Sequence, residues 1–201
     1  MRNSLWLAAL LSTTILAGPI QQAETLVKQG RQREAADLLE QTLANETLKP
    51  AALLALTRLY NEEGDYAKSV DYGERAVEAL PESSEAHLAY AVALKIKLNQ
   101  ISRFKGMLVI GRYKSALRKA LELDPKNVDA RVEEIGFLIH APGIIGGSET
   151  KAQEKIDDLK STHRREAMVM QAELRDKQED ARSAQPEMPT GQATPVPPSP
   201  Q

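Results

Sequence analysis

The stretch that decides the fold is residues 50–81, PAALLALTRLYNEEGDYAKSVDYGERAVEALP. Apolar residues recur at helical spacing on both sides of Gly64, over Leu53–Tyr60 before it and from Val70 onward after it. This pattern predicts two short helices joined by a tight glycine turn, which is a helical hairpin. Because one hairpin cannot bury the apolar faces of both its helices, the chain needs further copies.

The hairpin recurs along the chain. Gly30 precedes Gly64 by 34 residues (64 − 30), and Pro81 precedes Pro125 by 44 (125 − 81). A period of 34 with one insertion of about 10 residues is typical of a solenoid of stacked helix pairs. The sequence therefore predicts an all-α fold.

These repeats resemble the tetratricopeptide repeat family, in an exported bacterial form. The best copy carries the family's pattern at Leu53, Leu56, Thr57, Tyr60, Ser69, Gly73, Ala76 and Pro81. The next copy carries it at His87, Tyr90, Ala91, Leu94, Tyr113, Leu117, Ala120 and Pro125. Two departures are the lack of Trp in any repeat and Gly73 where the family has a large side chain. The resemblance covers about residues 20–160 and implies an α-solenoid of tetratricopeptide-type helical hairpins.

The resemblance also implies that the first helix of each hairpin lines a concave groove. The groove residues would be Leu54, Arg58, Asn61, Leu88, Val92, Lys95, Val132, Gly136 and Ile139. They form an apolar floor with Arg58, Asn61 and Lys95 as polar anchors, which suits an extended segment or a helix of a protein partner. We therefore expect a protein or peptide partner in this groove.

The predicted organisation has three parts. Residues 1–17 are predicted to be a signal peptide, with Arg2 before an apolar run and small residues at Ala17-Gly18. An uncleaved anchor or a buried first helix is the alternative. Residues 18–183 form the repeat domain, with about four repeats, an insertion near 99–110 and a capping helix over 164–183. Residues 184–201 are rich in proline and are predicted to be disordered. The chain is thus expected to be exported, to the periplasm or outside the cell.

The insertion lies in a stretch without acids. From Leu94 to Leu121 there are eight bases, at Lys95, Lys97, Arg103, Lys105, Arg112, Lys114, Arg118 and Lys119. One interpretation is an amphipathic basic patch over 95–119 that contacts an anionic membrane or an acidic partner. We favour the other, an extended hairpin whose apolar side chains pack on the solenoid while its bases are solvated.

The turn of the fourth repeat, residues 140–148, is unusually long and contains a Pro-Gly pair and a Gly-Gly pair. Its N–H groups at Gly146, Gly147 and Ser148, next to a helix start, could hold an anion. The alternative is a structural turn in which Ile144 and Ile145 plug the solenoid, with Ser148 as the cap of the next helix.

No catalytic set is recognisable. His87, His140 and His163 do not have metal-ligand spacing, and the chain has no Cys. A net charge of −2 does not favour a nucleic-acid partner. We therefore predict a non-catalytic adaptor or scaffold without metal or cofactor, whose partner and oligomeric state stay open. The alternative is a small-molecule or lipid carrier with a closed apolar pocket near Phe104, Met107 and Ile144. A third hypothesis is an enzyme, which would need titratable residues clustered in a cleft.

Overall fold

The computed structural model describes residues 18–184, except for the side chains of residues 103–105. The predicted signal peptide, residues 1–17, and the predicted tail from 185 on lie outside the described residues. Regular structure in the described part is helical throughout, which confirms the all-α prediction. The helices are α1 (18–28), α2 (Gln32–Thr42), α3 (Lys49–Glu63), α4 (Tyr66–Ala79), α5 (Ser84–Gln100), α6 (Arg103–Leu123), α7 (Val128–His140), α8 (Glu149–Thr162) and α9 (Arg164–Ser183).

The chain divides into two compact units, and the boundary along the chain falls within α7, between Glu134 and Ile135. The first unit contains α1 to α6 and the start of α7. The second contains the rest of α7, a 3-10 turn at Gly143–Ile145, α8 and α9. In the first unit consecutive helices pack as antiparallel hairpins, and each hairpin packs on the next, as in an α-solenoid.

The α3–α4 hairpin forms where the sequence predicts it, and local chemistry explains its ends. Pro50 lies in the first turn of α3, where its missing N–H costs no hydrogen bond. Gly64 ends α3 with a φ of 72°, a left-handed conformation that glycine adopts without strain. Asp65 then caps α4, because its carboxylate accepts a 3.2 Å hydrogen bond from the Lys68 N–H.

The core of the first unit relies on small residues where helices approach closely. Ala35, Ala52, Ala76, Ala86 and Ala120 are all fully buried. Leucines and tyrosines fill the space between them, and the rings of Tyr60 and Tyr72 stack with centroids 5.6 Å apart. Close packing of this kind explains why so few aromatic residues, 4% of the chain, are enough.

Gly73, the departure from the family's pattern, has a packing reason. A Cβ at this position would lie 2.8 Å from Cδ2 of Tyr90 and 3.3 Å from its Cα. The ring of Tyr90 therefore occupies the space that a larger residue 73 would need. The small residue on α4 and the large one on α5 compensate each other, because α5 approaches α4 over a glycine.

The insertion near 99–110 lies within an extended hairpin, the interpretation favoured from the sequence. The helix α6 begins inside it, at Arg103. The extra residues lengthen the hairpin: α5 has 17 residues and α6 has 21, against 15 in α3 and 14 in α4. Near the end of α5, the Gln100 amide donates a 3.1 Å hydrogen bond to the Gly64 carbonyl. The hairpin therefore continues past the level of the α3–α4 turn.

The extended hairpin does not bury all its apolar side chains. Met107 and Leu108 are 66% and 84% exposed, so the expectation that the apolar side chains of this hairpin pack on the solenoid is wrong for this pair. Val109 and Tyr113 are buried instead. The difference follows from helical geometry, because Val109 and Tyr113 lie four residues apart on one face and Met107 and Leu108 point away from it.

In the second unit, α8 starts as predicted, with the Ser148 hydroxyl accepting a 3.4 Å hydrogen bond from the Lys151 N–H. The expectation that Ile144 plugs the interior is wrong, because its side chain is 96% exposed. In α9, Ala167, Met170 and Leu174 are buried at helical spacing, whereas Met168 is 61% exposed.

Candidate functional site

The predicted groove residues of the first unit lie on the first helices of successive hairpins. Leu54, Arg58 and Asn61 are on α3, Leu88, Val92 and Lys95 on α5, and Val132 on α7. All four apolar members are half-buried, as expected for the floor of a groove. What the polar members can offer a ligand depends on the partners that they already have.

Two of the polar anchors contact the neighbouring first helix. The Arg58 guanidinium forms an ion pair with the Glu85 carboxylate at 2.6 Å. The Asn61 amide nitrogen donates a 2.9 Å hydrogen bond to the Ala89 carbonyl. Its amide oxygen is buried and has no hydrogen-bond partner in the described part of the chain. These contacts tie α3 to α5, a role that the sequence did not reveal.

The third polar anchor, Lys95, is part of a cluster that joins three helices. Its ammonium group pairs with the Glu133 carboxylate on α7. The Tyr113 hydroxyl on α6 donates a 2.9 Å hydrogen bond to the same carboxylate. Burial, followed by the charge of Glu133, raises the pKa of Tyr113, so the phenol stays protonated.

An apolar cleft opens between α1 and α3, with a volume of about 560 Å³. Leu54 and Arg58 of the predicted groove line it, together with α1, which the sequence analysis had not assigned to the groove. The other lining residues are Ile20, Ala23, Glu24, Val27, Lys28, Leu39, Ala51, Ala55, Leu59 and Glu62. Its walls are mainly apolar, with two acids and two bases among them. The helical spacing of Ile20, Ala23 and Val27 was the signal that could have found it.

The remaining groove residues, Gly136 and Ile139, belong to the second unit. Gly136 is half-buried, whereas Ile139 is fully buried and part of the core. The Ile139 carbonyl accepts a hydrogen bond from the Lys177 ammonium on α9. Ile139 is therefore a packing residue, and its backbone already has a partner.

The three N–H groups of the 140–148 loop donate within the loop and to α7. Gly146 donates to the Gly143 carbonyl at 3.0 Å, Gly147 to Pro142 at 3.1 Å, and Ser148 to Leu138 at 2.8 Å. These bonds hold the turn together and use the donors that an anion would need. We therefore do not propose an anion site in this loop.

A polar network that the sequence analysis missed lies between α4, α5 and α6. The Tyr90 hydroxyl donates a 3.0 Å hydrogen bond to Glu74, and Arg112 pairs with Glu74 while its guanidinium lies 5.6 Å from the Tyr90 ring centre. Burial raises the pKa of Tyr90 to about 12. This network borders a hollow of about 780 Å³ whose lining mixes acids and bases.

The three histidines have local partners. His87 Nε2 lies 2.9 Å from the Pro81 carbonyl, His140 lies 3.3 Å from Glu173, and His163 Nδ1 lies 3.0 Å from the Thr162 hydroxyl. Within residues 18–184, no three His, Cys, Asp or Glu side chains are close enough to hold a metal ion. None of the helices in this same part is long and apolar enough to cross a membrane.

Comparison with known proteins supports the family that the sequence resembles. The model of the tetratricopeptide repeat matches residues 50–93, the stretch from α3 into α5. No curated protein matches the chain.

Two solved structures share its fold. A thermophilic TPR protein from Thermus thermophilus is 17% identical with a TM-score of 0.63, over 84% of this chain and 98% of the other. The human IFIT1 dimer with m7Gppp-AAAA is 15% identical with a TM-score of 0.60, over 83% of this chain but 44% of the other. Residues 50–93 therefore match a tetratricopeptide repeat, and the chain shares the fold of a solved tetratricopeptide repeat protein.

Proposed function

We propose that this chain is a non-catalytic scaffold that binds an extended protein segment, and that the segment enters the cleft between α1 and α3. The observation that carries the proposal is the cleft itself, which combines apolar walls with charged residues of both signs. A groove of mixed polarity suits a peptide, because pockets take apolar side chains while charges fix orientation. Tetratricopeptide repeat proteins as a family serve in this way.

The carrier hypothesis is less well supported. It predicts a closed apolar pocket near Phe104, Met107 and Ile144; the side chain of Phe104 lies outside the described residues, and those of Met107 and Ile144 are largely exposed to solvent. A side chain in that position cannot wall off a ligand from water. The cleft between α1 and α3 is formed by other helices. Its apolar walls include charged residues of both signs, which favours a peptide over a lipid chain.

A nucleic-acid ligand is not proposed either. The human IFIT1 structure contains m7Gppp-AAAA, but the similarity of that protein to this chain concerns the fold. Two acids, Glu24 and Glu62, and two bases, Lys28 and Arg58, line the cleft. The lining therefore has no net positive charge. A nucleic-acid backbone needs such a charge.

The test uses two leucines at the same position of successive repeats. Leu54 lines the cleft, and Leu88 is its equivalent one repeat later (54 + 34) and does not line the cleft. Both are half-buried. A phage-displayed library of random linear peptides would be selected on the wild-type chain and then tested on Leu54→Lys and Leu88→Lys, each checked for helical content.

We expect the selected peptides to contain apolar residues, to bind Leu54→Lys at least about tenfold more weakly and to bind Leu88→Lys almost unchanged. A lysine in the cleft would bury a charge against apolar walls. Failure to enrich any peptide, or equal losses in the two variants, would refute binding at this cleft.

We also infer export of the chain, to the periplasm or outside the cell, on the pattern of residues 1–17. The short basic start, the apolar run and the small residues at Ala17-Gly18 are those of a cleaved leader. The intact mass of the protein recovered from the cell envelope or medium should correspond to a chain that starts at Gly18. A full-length mass from the cytoplasmic fraction would contradict this inference.

A further inference from the structure

The tip of the α5–α6 hairpin exposes two adjacent large apolar side chains. Met107 and Leu108 lie in the second turn of α6, which begins at Arg103. Contiguous exposed apolar surface marks sites that contact a membrane or another molecule more often than single exposed residues do. Neither side chain lines the two hollows described above.

Bases follow the apolar pair along the same side of α6. Gly111, Lys114 and Arg118 continue the exposed face at spacings of three and four residues from Met107. Glu122 is the nearest acid on this helix, and it lies 4.0 Å from Arg118 at the end far from the tip. The surface therefore consists of an apolar tip with positive charge behind it.

The sequence of this hairpin is rich in positive charge. No acid occurs from Leu94 to Leu121, whereas eight bases do. Lys95 pairs with Glu133 and Arg112 with Glu74, on other helices. An acid-free stretch with this many bases favours a negatively charged surface opposite it.

We propose that the tip of the α5–α6 hairpin inserts Met107 and Leu108 into the interface of an anionic phospholipid membrane, with the bases of α6 on the headgroups. An exposed apolar pair on a helix rich in bases fits the interface of an anionic bilayer, whereas a protein partner would need a matching pocket. The acid-free stretch provides the charge complementarity, since anionic headgroups attract clustered Lys and Arg. This inference is independent of the peptide cleft, which lies between other helices.

The experiment places a fluorescent reporter beside the tip. Because the chain has no Cys, Gly111→Cys creates one labelling site for an environment-sensitive dye. A Cβ at Gly111 meets no atom within 4 Å, so the substitution leaves Met107 and Leu108 in place. The matched reporter is Val169→Cys on α9, where Met168 and Val169 form another exposed apolar pair, Val169 being 52% exposed. Both full-length chains are mixed with vesicles of phosphatidylcholine alone or with phosphatidylglycerol.

We expect the Gly111→Cys dye to shift to the blue with vesicles that contain phosphatidylglycerol and to respond little to phosphatidylcholine alone. The Val169→Cys dye should not shift with either. Adding Met107→Ser and Leu108→Ser to the Gly111→Cys chain should raise the lipid concentration for half-maximal shift roughly tenfold, because two inserted side chains are lost. Adding Met168→Ser to the Gly111→Cys chain should leave that lipid concentration unchanged. Added salt should weaken binding, since charge attraction is screened.

Three results would overturn the proposal. No shift with anionic vesicles, or a shift that survives Met107→Ser and Leu108→Ser, would show that the tip does not insert. A shift produced by soluble poly-glutamate without vesicles would point to an acidic protein partner. A dye shift that increases with protein concentration in the absence of vesicles would indicate that a second copy of the chain covers the tip.

Discussion

At the scale of single residues, this protein shows how a departure from a family pattern can be a packing feature. Gly73 stands where a large side chain is expected, and the ring of Tyr90 fills the space. The hydroxyl of the same tyrosine reaches Glu74 on α4, so one side chain both packs on that helix and hydrogen-bonds to it. The glycine and the tyrosine act as a complementary pair.

We expect Gly73→Ala to lower the free energy of unfolding by about 1–3 kcal/mol, because the new methyl group would lie too close to Tyr90. Gly111→Ala is the matched control, since it adds the same methyl group to a helix with open space around it. That variant should gain up to about 1 kcal/mol from helix propensity. Urea unfolding followed by circular dichroism measures both. Equal effects of the two substitutions would disprove the close packing at residue 73.

At the scale of elements, the chain uses turns that fix themselves by backbone hydrogen bonds. The 140–148 turn is held by bonds from Gly146, Gly147 and Ser148, and Ser148 also caps α8. The loop backbone packs tightly at Gly147, where a Cβ would lie 1.7 Å from the Ala141 carbonyl oxygen. This contact explains the Gly-Gly pair better than a bound anion does.

Replacing Gly147 with Ala should therefore open the turn and destabilise the second unit by about 3 kcal/mol, since the backbone must shift. Gly143→Ala is the control in the same turn, because a Cβ at Gly143 meets no atom within 4 Å. This variant should lower the free energy of unfolding far less. Amide hydrogen exchange over α8 is the measurement, because a lost turn would unprotect its first residues. Similar exchange in both variants would mean that the turn tolerates a side chain at 147.

At the scale of the whole molecule, charges are arranged in segments that meet across helices. Residues 24–85 carry 13 acids and 7 bases, and they precede the acid-free stretch of α5 and α6. The structure brings part of the two segments together through Glu74 and Arg112. The cluster of Lys95, Tyr113 and Glu133 adds a buried phenol that only the tertiary structure creates.

The stability of the first unit should fall as the pH rises above about 10, the ordinary pKa of tyrosine. The folded state raises the pKa of Tyr113 and keeps its proton, whereas the unfolded chain releases it. Unfolding is then linked to proton loss, at up to about 1.4 kcal/mol per pH unit for one phenol. Between pH 8 and 11, the measured free energy of unfolding should decline less steeply for Tyr113→Phe than for the wild-type chain. Parallel profiles for the two chains would contradict the raised pKa.

The sequence by itself determined the class of fold, the α3–α4 hairpin with its turn at Gly64, and the cap at Ser148. These features depend on local periodicity and on residues that fix a helix end, so neighbours along the chain suffice to predict them. The tertiary structure decided the partners of Arg58, Asn61 and Lys95, the exposure of Met107, Leu108 and Ile144, and the contribution of α1 to the cleft. Those outcomes depend on which helices lie side by side and how far each extends, and spacing along a single helix carries no information about that distance.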